Sequence, residues 1–192
     1  MSRSGGDRRA LRSTDQKRLH RDWRRRTHGR VAILLDGVMT PYNVGSVVRL
    51  AAAYGASPLW LAGATATASH PSARRTALGT ERYVEIVDGL PAAEAAADAT
   101  AEGFQVVGVE LAAGAVPLHE ADLGPDVCLA FGHEEHGLSG ELLRRCDAVT
   151  YLPLVGRVGS LNVATAAGIA LYEVRRREWA AASDVPGVDI DP

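Results

Sequence analysis

Apolar residues along the chain fall into short continuous runs separated by segments of helical periodicity. VAILLDG (31–37) is apolar up to a closing Asp-Gly, the pattern of a strand buried on both faces. Behind it, NVGSVVRLAAAYGA (43–56) sets Val47, Val48, Leu50, Ala51 and Tyr54 at helical intervals and predicts a helix that stops at Gly55. The alternation then repeats. Strands are predicted at PLWLAG (58–63), FQVVGVEL (104–111), VCLAFG (127–132) and VTYLPL (149–154). Helices are predicted at AAEAAADATAEG (92–103), GELLRRC (140–146) and SLNVATAAGIALYEVRRREWAA (160–181). Such alternation implies an α/β layer architecture with a mostly parallel sheet. No internal repeat is evident, and the tail SDVPGVDIDP (183–192) reads as disordered.

A chain of 192 residues, 46% hydrophobic and 23% charged, suits one globular domain with a short arm. The expected division is a basic arm over 1–29, a catalytic domain over 30–182 and the tail. No apolar run approaches the roughly 18 to 20 residues that cross a bilayer, and no apolar segment follows the basic N-terminus, so a soluble, non-secreted, cytoplasmic protein is expected. Cys128 and Cys146 lack metal-binding spacing and read as reduced, buried thiols. The net charge of -2 conceals a segregation: residues 1–30 hold 11 of the 21 basic residues against three acids, a net +8, which leaves -10 for residues 31–192. Ten of those eleven are Arg, whose planar fork suits phosphate, and nucleic acid becomes the leading partner class, with a solvated charged face as the alternative. Leu11, Leu19 and Trp23 give the arm a helical look, with Ser13 or Thr14 available as N-cap.

Ligands of open α/β sheets bind beyond the carboxyl ends of the strands, and three loops there stand out. In TPYNVGSVVR, Asn43 reads as a helix cap or a site residue, while Arg49 interrupts an otherwise apolar helix on what reads as its buried side and calls for an anionic partner such as phosphate. In FGHEEHGLSGE (131–141), Gly132 and Gly137 bracket a tight turn that admits a ligand close to the backbone. His133, Glu134, Glu135 and His136 lack the HExxH spacing of a zinc site, and Glu134 is left to orient polar groups or cap the helix near Ser139. In LPLVGRVGSLNVATAA (152–167), Ser160 reads as the cap of the last helix, whose first turn also presents Asn162. Neither GxGxxG after the first strand nor a P-loop is found, so nicotinamide and P-loop nucleotide sites are excluded.

Taken in order, NVGSVVR, FGHEEHGLS and LPLVGRVGSLNV resemble the three motifs of the SpoU/TrmH family of RNA 2'-O-ribose methyltransferases within the SPOUT superfamily, over about residues 31–178. The departures are mild: Leu152 and Leu154 flank Pro153 where Ile and Met are usual, and Ala164-Thr165 follows SLNV. The resemblance implies a SPOUT-type parallel sheet flanked by helices, with a C-terminal trefoil knot behind the basic N-terminal helix. It further implies S-adenosylmethionine as cofactor, no metal, and a site completed across a homodimer. Carried over by position, the cofactor contacts are Val109, Glu110, Gly132, Leu152, Leu154 and Leu161. Arg49 acts on the 2'-hydroxyl, with Asn43, Glu134, Ser160 and Asn162 orienting it, the ribose and the cofactor. The short Arg-rich arm is similar in organisation to the family's tRNA methyltransferases acting on a D-loop guanosine, with ribosomal RNA as the alternative substrate and a non-catalytic RNA-binding protein as a third. Arg18, Arg21, Arg24, Arg25 and Arg26 on the arm are expected to meet RNA. Arg74 and Arg75, with Arg82, are expected to form a second contact in a loop over 70–84, a mobile solvated loop being the alternative.

Overall fold

The structure, a computed structural model, describes residues 10–181. Arg3, Arg8, Arg9 and the tail expected to be disordered lie outside the described residues. Helix α1 (Ser13–Arg25) leads into β1 (Val31–Asp36), α2 (Pro41–Tyr54), β2 (Ala56–Ala62), α3 (Pro71–Ala77), β3 (Ile86–Asp88) and α4 (Ala92–Ala101). Then follow β4 (Gln105–Val109), β5 (Val116–Pro117), β6 (Val127–Phe131), α5 (Gly140–Leu143), β7 (Ala148–Tyr151) and α6 (Val163–Ala181). All strand pairs are parallel, in the order β3-β2-β1-β6-β4-β7-β5.

The apolar run of β1 is buried at every position because both faces of the sheet are covered. Ile33 and Leu35 point to a core shared with Val44, Val47 and Val48 of α2 and Ala167, Ala170 and Leu171 of α6. Ala32 and Leu34 point the other way, to a core closed by Ala95, Ala96 and Ala99 of α4 and Leu142 of α5. α3 lies along α2 at a contact that only glycine permits: a Cβ on Gly45 would collide with the backbone of Ala73.

Several boundaries differ from expectation. Helix α2 starts two residues early because Pro41, with its fixed φ and missing N–H, occupies the first turn; Asn43 is therefore inside the helix and does not cap it. Gly55, in the left-handed conformation with φ 64°, ends α2 at the expected place. The C-terminal helix begins at Val163, and its cap is Asn162, whose Oδ1 accepts from Ala164 N and Thr165 N at 3.0 and 3.2 Å; Ser160 lies ahead of the helix and does not cap it. The segment 70–84 is α3 followed by a 3-10 turn (Thr80–Tyr83), since His70 Nδ1 accepts from Ser72 N at 3.1 Å and Pro71 starts the helix. Arg12, without a side-chain capping bond, precedes α1 in place of the expected Ser13 or Thr14. Cys128 is buried but Cys146 is only half-buried, its Sγ donating to the Leu142 carbonyl at 3.3 Å.

Helix α1 has no buried residue and is held by aromatic contact. Trp23 meets Trp179 of α6 with ring centroids 4.8 Å apart, and Trp179 Nε1 donates to Thr27 Oγ1 at 3.0 Å. Beneath this contact lies Arg175, the buried cation of the described residues at 2% exposure. Its guanidinium donates to the carbonyls of Gly29 (2.7 Å), Tyr54 (3.0 Å) and Gly55 (3.2 Å) and to Glu178 Oε2 (3.0 Å). One side chain thereby joins the entry to β1, the end of α2 and α6. Removing it takes a donor from three backbone carbonyls while Glu178 keeps the amides of His28 and Gly29, so Arg175→Met is expected to cost about 2 kcal/mol, read as a drop in the denaturant midpoint.

Candidate functional site

The carboxyl ends of β4, β6 and β7 open on a cleft of about 610 Å³. Its lining includes Val109, Glu110, Gly132, Leu152, Leu154 and Leu161, all six expected cofactor contacts, together with Glu134 and Ser160. The parallel sheet brings these distant segments together because its strands all end on one side. Asn43 and Asn162 are not part of this lining; Asn43 bonds to Glu134 and Asn162 bonds to Asn43.

The loop after β6 is shaped by its glycines. His133 and Gly137 exchange two backbone hydrogen bonds of 2.9 Å, closing the turn, with Gly137 at φ 68°. A Cβ on Gly132 would collide with the backbone of Gly137 and Leu138, and one on Gly137 with the Glu110 carboxylate. Two carboxylates then grip consecutive amides of the loop: Glu110 Oε2 accepts from Leu138 N at 3.1 Å and Asp36 Oδ2 from Ser139 N at 2.8 Å. Glu110 therefore uses its carboxylate to hold the loop while lining the cleft. Asp36, 8% exposed, is a site residue that the sequence pattern showed only as the end of β1; the available sign was a carboxylate closing a strand buried along its whole length.

Three loops meet in one chain of side-chain bonds. Asn43 Nδ2 donates to Glu134 Oε1 at 2.8 Å, and Asn162 Nδ2 donates to Asn43 Oδ1 at 3.0 Å. Asn162 Oδ1 is at the same time the cap of α6, so this amide has both ends committed. Desolvation pushes the Glu134 carboxyl up, but hydrogen bonds from Asn43, its own backbone N–H and Thr40, with the nearby His133, outweigh it and leave the group below its ordinary value. Glu134 is thus an acceptor at neutral pH. His133 Nδ1 accepts from Glu135 N at 3.0 Å and its ring stacks on His136 at 4.7 Å, which commits the loop's imidazoles to its own architecture. Among the described residues, no group of three or more His, Cys, Asp or Glu comes together to hold a metal.

Arg49 corrects the expectation of a buried-side cation: it is exposed on α2, because α2 packs through Val44, Val47, Val48 and Ala51 and turns the Arg49 position outward. It lies one helical turn beyond Gly45, on the face that meets α3, so the exposed Arg74 and Arg75 of α3 border the same side of the molecule. Arg18, Arg21, Arg24 and Arg25 are exposed on α1, and Arg26, just past its end, is half-buried; α1 contacts the far end of α6, and the structure does not bring these arginines to the cleft. The two roles of Asn162 separate by substitution. Asn162→Ala is expected to lose about 1 kcal/mol in thermal or denaturant unfolding with the cap. Asn162→Asp restores that stability but has no N–H for Asn43, so activity stays low in the Asp variant.

Residues 30–172 match the family described as the SpoU rRNA Methylase family. The 23S rRNA (guanosine-2'-O-)-methyltransferase RlmB of Acinetobacter baylyi is 34% identical over 146 residues, 76% of this chain and 59% of that protein. An AdoMet-bound rRNA methyltransferase from Sinorhizobium meliloti superposes with TM-score 0.73 at 34% identity, over 79% of this chain and 58% of its own. The A. aeolicus TrmH/SpoU tRNA modifying enzyme superposes with TM-score 0.71 at 27% identity, over 88% of this chain and 86% of its own. The chain spans about three fifths of the length of the first curated relatives it matches. With two motif loops lining one cleft, the first bonded to it through Asn43, and a family match over most of its length, the chain belongs to the SpoU rRNA methylase family.

Proposed function

We propose that the protein transfers a methyl group from S-adenosylmethionine to a ribose 2'-hydroxyl of RNA. The observation that carries this reading is the cleft itself: the six expected cofactor contacts and Glu134 line one cavity of about 610 Å³, within the range of small-molecule sites. Leu152, Leu154 and Leu161 offer apolar surface, and Gly132 and Gly137 give backbone access, a mixture that fits a nucleoside bearing a thioether chain. Bound there, S-adenosylmethionine supplies an electrophilic methyl group on a sulfonium.

The protein must aim a weak nucleophile and manage its proton. Asn43, held between Glu134 and Asn162, fixes the loops on which Glu134 and Ser160 stand. A guanidinium offers donors and no acceptor, so Arg49 clamps the phosphate beside the target ribose and steadies the developing alkoxide while that phosphate or water accepts the proton. Its exposure outside the cleft wall supports a site that a second copy of the chain completes. The trefoil-knotted path belongs to the same reading, supported by β7 lying between β4 and β5 while α6 returns to pack on α2. Residues 1–29 then serve as a basic arm ahead of a methyltransferase domain over 30–182.

Transfer RNA is the proposed substrate, at a D-loop guanosine. Its support is the arginine-bearing helix α1 and the likeness to a tRNA modifying enzyme over most of both chains. The second reading is ribosomal RNA, favoured by the printed names of the Acinetobacter and Sinorhizobium proteins. Labelled S-adenosylmethionine with total tRNA and, separately, ribosomal RNA decides between them: ribose-methylated guanosine in tRNA is expected, and label in ribosomal RNA alone moves the function to the second reading. Arg49→Ala is expected to lose at least 100-fold in turnover, on the scale of other lost transition-state contacts, with cofactor affinity unchanged. An active Arg49→Ala variant would remove Arg49 from the mechanism.

A further inference from the structure

Beyond the cleft, the segment from His70 to Tyr83 presents an apolar side chain, an aromatic ring and three arginines to solvent. Leu78 sits at φ 54°, the single non-glycine residue with positive φ among the described residues. It is the C-cap of α3, its backbone N–H donating to the Arg74 carbonyl at 3.1 Å, and its side chain is 65% exposed. Tyr83, also 65% exposed, ends the 3-10 turn Thr80–Tyr83 that follows Leu78 and Gly79. Arg82 lies over its ring, with Cζ 4.7 Å from the centroid, and donates from Nη2 to the Tyr83 hydroxyl at 2.8 Å. This bond and stack fix an aromatic ring in a set orientation at the surface.

The charge around the ring narrows the partner. Arg74, Arg75 and Arg82 are exposed and the segment's one acid, Glu81, is half-buried, so the outward charge is positive, against a balance of -10 over residues 31–192. An oriented ring, a cation stacked on it, an apolar side chain held outward and two further arginines match an anionic strand with accessible base faces. Paired duplex RNA buries those faces, whereas an unpaired nucleotide offers them. α3 is fixed to α2 through Gly45 against Ala73, so the patch borders the helix that carries Arg49.

We infer that Tyr83, braced by Arg82 and flanked by the outward Leu78, is a stacking platform for an unpaired base of the RNA, which restricts the enzyme to nucleotides in loops. The inference rests on the proposed action on RNA and names the structural context of its substrate. Stacking on one aromatic ring is worth roughly 5- to 150-fold in affinity per base.

The test compares wild type, Tyr83→Ala and Tyr83→Phe for binding of a fluorescein-labelled stem–loop RNA and of a fully paired duplex of matched length, alongside methyl transfer by the wild type to total RNA. Expected is tighter wild-type binding to the stem–loop, a loss of about tenfold or more for that probe in Tyr83→Ala, no change for the duplex, and retention in Tyr83→Phe. Arg74→Ala, by contrast, is expected to weaken both probes and reduce the salt dependence. Tyr83→Ala binding the stem–loop as tightly as wild type overturns the platform while methyl transfer leaves the proposed function standing. A wild type that neither binds these RNAs nor methylates any overturns both.

Discussion

The amide of Asn43 donates to Glu134 and accepts from Asn162, and the site's assembly depends on these two bonds. They tie together three segments that have no continuity in sequence: the start of α2, the turn after β6 and the run into α6. An amide serves where a carboxylate or ammonium does not, because the position must offer a donor to one neighbour and an acceptor to the other. Glu134 gains the most. With its carboxyl held below the ordinary value, it remains a fixed acceptor on the wall of the cleft.

The rest of the fold keeps these segments in register. Asp36 and Glu110, at the ends of strands on either side of β6, hold successive amides of the turn, so the loop is pinned from both flanks. Glycines set the close approaches, at Gly132 against Gly137 and at Gly45 against Ala73. At the opposite end, Arg175 gathers the carbonyls of Gly29, Tyr54 and Gly55, so α2 is anchored at its last turn while Asn43 is anchored in its first. Helix α2 thus links the aromatic dock of α1 to the cleft.

Much of this was legible in the sequence, and the misses have physical causes. The continuous apolar runs located β1, β2, β4, β6 and β7, since burial on both sheet faces leaves no alternation to confuse. Strands β3 and β5, of three and two residues, are too short to carry a period. Helix α3 carries no helical signal in the sequence because its cap is a histidine and its arginines face solvent. The second and third motifs named residues of the cleft, and the first a residue bonded to it, but not their division of labour. Capping by Asn162 in place of Ser160, the outward Arg49 and the loop-holding roles of Asp36 and Glu110 depend on side-chain directions that spacing does not encode.

Hydrogen–deuterium exchange with and without S-adenosylmethionine tests the central claim directly, that the segments following β4, β6 and β7 form one cofactor cleft. The expected result is slowed exchange at residues 109–111, 131–139 and 152–161 together, with the α1 segment unchanged. Cofactor binding that protects a different region, or only one of these three segments, would contradict it.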